Sequence, residues 1–507
     1  MSLDLNALRG SLREFERQGL SAAPALIAQM AALCPGAAEK AVLARELASV
    51  DFPAPAREVR SVALFYFRTG NGGVEMAMTL LAHEFVKWGL RVTVVTHDAP
   101  DEASYPLPSQ AALERLPWLD AADVRGSMRA RTEELRRIVK AHDIDAFVDH
   151  AWLSHELLFD LMLCRKAGVR FVLNTHGVFT FPLAVEYDVR DYFSLLPRLV
   201  GSCDALVAET EVNRWFYAQF TPRAFCIPNP VDWSFLDRVS AQDRLLGPAP
   251  VLLWVGRFEE RKRPVDAVRI LAAVRRSIPD ARLVMVGKSE DGVQEGLVLE
   301  YAADLGVAEA VELAGYQRDV APFYRDAALL VSTTEIEGFN MVLLEASAAG
   351  LPAVMYRLSY LPFDRSAGVL SVDIGDVSGA AAAALGALSD AARYRELCAG
   401  ALACFKEFRD YDYEAAWKSV FSGEAPAHER ADEDALAPLA WDALFDHALV
   451  GTESLRAQAR RDAACAAEDA MRAMREEYES SASYRVGRAT LALPRAVRGA
   501  LRRRRGG

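Results

Sequence analysis

The chain alternates between two hydrophobic rhythms. SVALFYF (61–67) is a largely apolar run, as expected of a strand buried on both faces. A glycine-rich turn, an amphipathic helix over about residues 73–88 and the strand RVTVVTH (91–97) follow. The alternation continues through DAFVDHAW (145–152), VRFVLNTHG (169–177) and CDALVAE (203–209), which predicts a parallel α/β domain. IPNPVDWSFL (227–236) carries two prolines and turn residues and reads as a hinge. Beyond it, PVLLWVGR (250–257), ARLVMVGK (281–288), AVELAG (310–315), AALLVST (327–333) and LPAVMY (351–356) predict the strands of a second α/β unit. That unit ends near YDYEAAWKSVF (411–421).

Two tandem doubly wound domains imply a ligand in the cleft between them, at the carboxyl ends of the strands. The expected organisation is a helical Ala/Leu-rich extension (1–57), a first Rossmann-like domain (58–228), a second (229–424) and a helical tail (425–507). The extension closes on a Pro-containing linker, DFPAPAREVR (51–60). In the tail, Ala464, Ala467, Met471, Met474 and Tyr478 step by three and four, the spacing of either a short coiled-coil seam or a solvated helix.

Composition narrows the function classes. A net charge of −12 argues against a broad nucleic-acid surface. The seven cysteines are widely spaced with no CxxC, which fits reduced thiols in a cytoplasmic compartment and no zinc site. MSLDLNALRGSLREF does not read as a signal peptide, and no run of about 18 apolar residues reads as a membrane span. The end of the chain differs: residues 483–507 hold eight arginines and no acid. Val486, Ala489, Leu491, Leu493, Val497 and Leu501 supply apolar contact, so the segment suits an anionic membrane surface, a partner protein or a solvated tail.

The candidate chemistry gathers at strand ends. In TTEIEGFNMVLLEASAAG (333–350) a strand turns at Gly338 into a helix expected to begin near Phe339. The N–H groups of Phe339, Asn340, Met341 and Val342 would then form an anion site at the helix start. Glu337 lies beside that start and Glu345 on the second turn, so a sugar nucleotide could place hydroxyls on both. A dipole-complementing glutamate and a solvated one would have the same spacing. WVGRFEERKRP (254–264) brings Arg257 and Lys262 to a short loop that either grips a diphosphate or is a solvated basic loop balanced by Glu259 and Glu260. TGNGGVEMAM (69–78) offers Gly70, Gly72 and Gly73 for close backbone approach, but Glu75 breaks a nicotinamide-type G-x-G-x-x-G fingerprint. His176, in NTHG (174–177), sits at a strand end as a contact to a sugar hydroxyl or the acceptor, or as a structural histidine. Asp143-Ile-Asp145 reads as helix-to-strand punctuation rather than a metal motif.

Taken together, these stretches resemble the retaining glycosyltransferases of family 4, which have the GT-B fold. EGFNMVLLEASAAGLP is similar to that family's E-x7-E signature, VGRFEERK to its G-R-x4-K loop, NGGVE to its G-G-x-E loop and IPNPVD to its hinge. The resemblance covers roughly residues 59–421 and implies a nucleotide sugar, UDP- or GDP-linked, on the second domain. It places Glu337 at the donor sugar, Glu345 at the ribose, Arg257 and Lys262 at the diphosphate, Gly73 opposite them and His176 near the reacting sugar. Asn340 departs from the glycine common at its position, which leaves the donor sugar open. The implied acceptor is a carbohydrate or lipid-linked molecule, with no metal or other cofactor. The implied setting is cell-envelope polysaccharide or glycoconjugate synthesis at the inner face of the membrane. A non-catalytic subunit of a partner transferase and a sugar-nucleotide epimerase are the alternatives.

Overall fold

The computed structural model describes residues 58–70, 72–100, 104–118, 120, 123–154, 156–181, 199–239, 244–289, 292–426, 435–444 and 446–447. The expected extension 1–57, the seam within 452–480 and the basic segment 483–507 lie outside the described residues.

Two parallel sheets organise the fold. The first holds β1 (Ser61–Phe65), β2 (Arg91–Thr96), β3 (Ala112–Arg115), β4 (Ala146–Asp149), β5 (Arg170–Asn174), β6 (Ala205–Ala208) and β7 (Ala224–Cys226), in spatial order β3-β2-β1-β4-β5-β6-β7. The second holds β8 (Val251–Val255), β9 (Arg282–Val286), β10 (Val311–Gly315), β11 (Leu329–Ser332), β12 (Ala353–Tyr356) and β13 (Val369–Val372), ordered β10-β9-β8-β11-β12-β13. Parallel neighbours require a crossover, and helices such as Gly73–Lys87 and Pro264–Arg275 supply it. The central strands are apolar on both faces because helices cover both: β1, β4, β5, β6, β11 and β12 are buried throughout. This is the pair of doubly wound units that the alternating pattern predicts.

Each sheet reverses its order beside its first strand, between β1 and β4 and between β8 and β11. At such a point the flanking loops diverge and open a crevice at the strands' carboxyl ends. Gly287 shows how closely the floor of the second crevice is packed, since a Cβ there would stand 1.8 Å from the Gly256 carbonyl oxygen.

The last helix of the expected second domain, Tyr413–Ser422, packs against the first. Tyr413, Trp417 and Val420 join the core formed by Val62, Leu64, Leu81, Phe85 and Val94. The Tyr411 and Tyr413 hydroxyls donate to the carbonyls of Cys226 (3.0 Å) and Asn229 (3.1 Å), tying the returning chain to the hinge. Among the described residues no helix is long and apolar enough to cross a membrane.

Trp417 is 2% exposed and stands edge-on to Phe85 at 5.1 Å. Trp417→Ala is expected to lower the unfolding free energy by about 3–5 kcal/mol, measured by urea denaturation.

Candidate functional site

The two crevices face one another. Gly338, past β11, comes so close to the loop after β5 that an added Cβ would lie 2.3 Å from the His176 carbonyl oxygen and 2.7 Å from a Glu209 carboxylate oxygen. The sequence reads Gly338 as a tight-turn residue, and the structure adds that the position has no room for a side chain. The Arg261 guanidinium lies 5.3 Å from the centre of the Phe181 ring across the same gap. Tyr105, on the loop between β2 and β3, has its phenol pushed up by burial and by Glu345, Tyr316, Glu75 and Asp232. Glu345 and Tyr316 belong to the second sheet's half and Asp232 to the hinge, so Tyr105 lies within electrostatic reach of the opposite wall.

Lys262 ends a short 3-10 turn, Glu260–Lys262, and its Nζ donates to Glu337 Oε1. The turn is held by Thr333, whose hydroxyl faces the carbonyls of Lys262 (2.8 Å) and Arg263 (3.0 Å) and accepts from the Trp254 indole (3.1 Å). The Tyr360 hydroxyl accepts from the Glu337 N–H and donates to the Glu337 carbonyl, both at 3.0 Å. The Lys262–Glu337 pair is thus anchored from three strands, β8, β11 and β12. Arg257 is half exposed and pairs with Glu259 at 2.7 Å. Arg261 pairs with the other oxygen of Glu259 at 2.6 Å. Arg263 adopts the left-handed backbone (φ 46°) and joins Asp266 (2.7 Å) to Glu335 (3.2 Å). Four cations therefore line one loop, each beside a carboxylate.

The helix after β11 is Met341–Ala348, two residues later than expected. Asn340 caps it from a left-handed conformation (φ 70°), its Oδ1 accepting from the Leu343 N–H at 3.2 Å. A helix start leaves the N–H groups of Met341 and Val342 without intrahelical partners. Phe339 precedes the Asn340 cap, so its N–H is not among the first-turn groups of the helix that begins at Met341. Its side chain is buried edge-on to Phe363 (5.4 Å) and Phe408 (5.5 Å), where it anchors the turn in the core. Glu345 accepts from the Tyr324 hydroxyl at 2.5 Å. Burial pushes its carboxyl up to about 7; the Tyr324 bond opposes this and Asp232 adds to it.

On the other wall Gly73 opens its helix, and a Cβ there would meet nothing within 4 Å. At Gly72 a Cβ would lie 2.3 Å from Glu75 Oε2, so the glutamate folds back over the loop. Arg68 Nε donates to Glu75 Oε1 at 3.1 Å.

His176 does not present its ring to the cleft. The side chain is 2% exposed, with Nδ1 2.7 Å from Glu209 Oε1 and Nε2 2.7 Å from His150 Nδ1. Burial and the neighbouring His176 hold the His150 pKa well below its usual range, so His150 is neutral. The simplest proton arrangement places one on His176 Nδ1, donated to Glu209, and one on His150 Nδ1, donated to His176 Nε2. His150 Nε2 is then bare and, among the described residues, without a hydrogen-bond partner. What His176 offers the cleft is its backbone carbonyl.

Asp143 and Asp145 are structural, as the sequence indicates. Asp145 Oδ2 accepts from the N–H groups of Arg60 (2.9 Å) and Ser61 (3.1 Å), while Asp143 turns the chain with φ 48° and faces Arg91.

Sequence reasoning missed Tyr105, Tyr324, Tyr360, Glu209 and His150. Glu209 and His176 each end an apolar run, and β5 and β6 are neighbours. Pairing consecutive parallel strands would have brought these two together. The tyrosines carry no spacing signal.

The sequence model of glycosyl transferases group 1 matches residues 249–390, and that of glycosyltransferase family 4 matches residues 71–235. The chain belongs to the family 4, group 1 glycosyltransferases. It is 31% identical to a D-inositol 3-phosphate glycosyltransferase of Segniliparus rotundus over 44% of this chain and 53% of that one. It is 30% identical to a GDP-mannose-dependent alpha-(1-6)-phosphatidylinositol monomannoside mannosyltransferase of Mycolicibacterium smegmatis, over 45% of this chain and 62% of that one. The chain thus spans between half and two thirds of the length of these curated relatives. The solved structure of Anabaena HepE with UDP and glucose aligns at a TM-score of 0.56 and 15% identity, covering 72% of this chain and 98% of that one. At that identity the likeness shows the fold, GT-B.

Gly338→Ala should force the walls apart and lower stability by about 1–3 kcal/mol. Gly73→Ala, with open space for its methyl group, should cost nothing. Urea denaturation of both variants checks this. Glu345 titrates higher folded than unfolded, so its contribution is fully present at acidic pH and fades as pH rises through about 7. The melting temperature of the wild type should fall relative to that of Glu345→Gln between about pH 4.5 and pH 7 and level off above that, measured by calorimetry across a pH series.

Proposed function

We propose that this chain transfers a glycosyl group, with retention, from a nucleoside-diphosphate sugar to a carbohydrate or lipid-linked hydroxyl acceptor in cell-envelope or glycoconjugate synthesis. The observation that carries the reading is the Lys262–Glu337 pair, held at the β8/β11 switch point beside Arg257 and the start of helix Met341–Ala348. Among the relatives, one uses GDP-mannose by name, and the HepE structure contains UDP with glucose. Those names support a UDP- or GDP-linked donor.

The difficult step is departure of the nucleoside diphosphate, as negative charge builds on its β-phosphate. Lys262, Arg257 and the N–H groups of Met341 and Val342 meet that charge, in the role a metal plays elsewhere. A partly buried cation already paired with a carboxylate is positioned before the donor arrives, so little reorganisation is needed during reaction. Glu337 takes the donor sugar hydroxyls and Glu345 the ribose diol. The acceptor hydroxyl attacks from the face the diphosphate leaves, and its proton passes to the departing phosphate oxygen. The reaction is placed at the inner face of a membrane, with residues 483–507 as the contact to anionic lipid.

Calorimetry against UDP- and GDP-sugars in the presence of EDTA tests the reading. Saturable binding of one donor, with Lys262→Ala reducing turnover by about 10²–10³-fold, is the expected result. Wild-type turnover in that variant would overturn the role of Lys262. Isomerisation of the donor without an acceptor would make the protein an epimerase. Folded protein that binds no donor would be a non-catalytic subunit.

A further inference from the structure

The wall that carries Tyr105 ends in a stack of rings. Phe67 follows β1, His97 follows β2 and Trp118 follows β3, so all three leave the first sheet at its carboxyl edge. Trp118 lies 3.7 Å from His97 and 5.4 Å from Phe67, centre to centre, at 27° and 14° between planes. His97 and Phe67 are themselves near-parallel, 5.8 Å apart at 17°. One face of the indole is therefore covered by rings, yet the residue remains 48% exposed. The solvent meets its other face.

The platform is rigid. Buried Arg131 donates to the carbonyl of Pro117, the residue before Trp118, at 2.5 Å and to Asp160 Oδ1 at 2.8 Å. His97 Nδ1 donates to the Leu116 carbonyl at 2.6 Å, and the Leu116 N–H donates to the Thr96 carbonyl at 2.8 Å. The His97 N–H in turn donates to the Phe67 carbonyl at 2.9 Å. Burial lowers the His97 pKa to about 4, so an uncharged imidazole supports the indole at neutral pH.

A single exposed apolar side chain is ordinary on a protein surface. An indole fixed from below, with its backbone tied to a buried ion pair and its free face at the carboxyl edge of the sheet, is a preorganised binding surface. Its flat apolar face and wet rim match a pyranose, which presents C–H groups on one face and hydroxyls around its edge. The site leaves the sheet at β3, two strands from β1, whose exit loop carries Gly72 and Gly73. That offset suits a sugar residue set back from the attacking hydroxyl.

We infer that the free face of Trp118 is an acceptor subsite that stacks a pyranose ring of the glycan or glycolipid being extended. The inference rests on the glycosyltransferase reading and specifies its acceptor half. Saturation-transfer NMR on the full chain, with methyl α-D-mannopyranoside and methyl α-D-glucopyranoside as probes, tests it. Ring-proton saturation is expected in the wild type. Trp118→Phe should keep most of it, and Trp118→Ala should bind roughly five- to tenfold more weakly, the scale of one aromatic contact. Equal saturation in Trp118→Ala, or none from either probe in the wild type, overturns the subsite. Circular dichroism shows whether Trp118→Ala is folded, and Trp118→Phe carries the comparison if it is not. Donor calorimetry on the same wild-type sample separates the two failures: donor bound without glycoside removes only the subsite, whereas neither bound removes the transferase reading as well.

Discussion

A parallel strand cannot pass the chain directly to its neighbour, and the geometry of the cleft follows from that constraint. Every strand in each sheet runs the same way, so the loops leaving their carboxyl ends collect on one edge. In both sheets the order reverses next to the first strand, which opens that edge at β1/β4 and at β8/β11. The two open edges meet where Gly338 lies against the His176 carbonyl. Stretches far apart in sequence, such as the loops after β5 and β11, become one site without any local signal that they should.

Charge is arranged on that edge with little left unpaired. Arg257, Arg261, Lys262 and Arg263 each face a carboxylate. Pairing makes partial burial of Lys262 tolerable, since a lone buried cation would carry a large desolvation penalty. An anionic ligand entering there would exchange partners with the carboxylates, freeing them to accept from hydroxyl donors. Glu345 works differently: it has a tyrosine partner and no cation, so burial leaves it poised between its two protonation states near neutral pH. A ligand that donates two hydrogen bonds to it would favour the ionised form.

The central strands were legible because burial on both faces demands continuous apolar runs, and ten of the thirteen strands answer to such runs in the sequence. The three that were not are peripheral or short. β3 (ALER) is a half-exposed edge strand of the first sheet with charged residues, β13 is a partly buried edge strand of the second sheet and β7 is three residues long. No apolar run is needed where one face or one edge meets water. In the site, the carboxylates and cations were found because they cluster at strand ends. Phe339 departs from its expectation because the helix starts two residues later, and His176 because a motif position fixes the backbone while the direction of the side chain depends on what packs behind it. Phe363 and Phe408 draw Phe339 into the core, and Glu209 and His150 draw the His176 ring away from the cleft.

The two halves of the cleft differ in how much of their chemistry a sequence can display. A diphosphate has fixed charge and size, so groups that bind it need particular types at particular offsets, and the offsets survive as a readable pattern. A hydroxyl acceptor needs a surface of the right shape beside the donor, and aromatic rings from separate loops can build one at any spacing. Phe67, His97 and Trp118 are 51 positions apart from first to last, and only the pairing of β1, β2 and β3 brings them into a stack. Tyr105 comes within electrostatic reach of the opposite wall from the same stretch of chain. The aromatic wall of the first sheet is therefore written in topology, and its reading had to wait for the sheet.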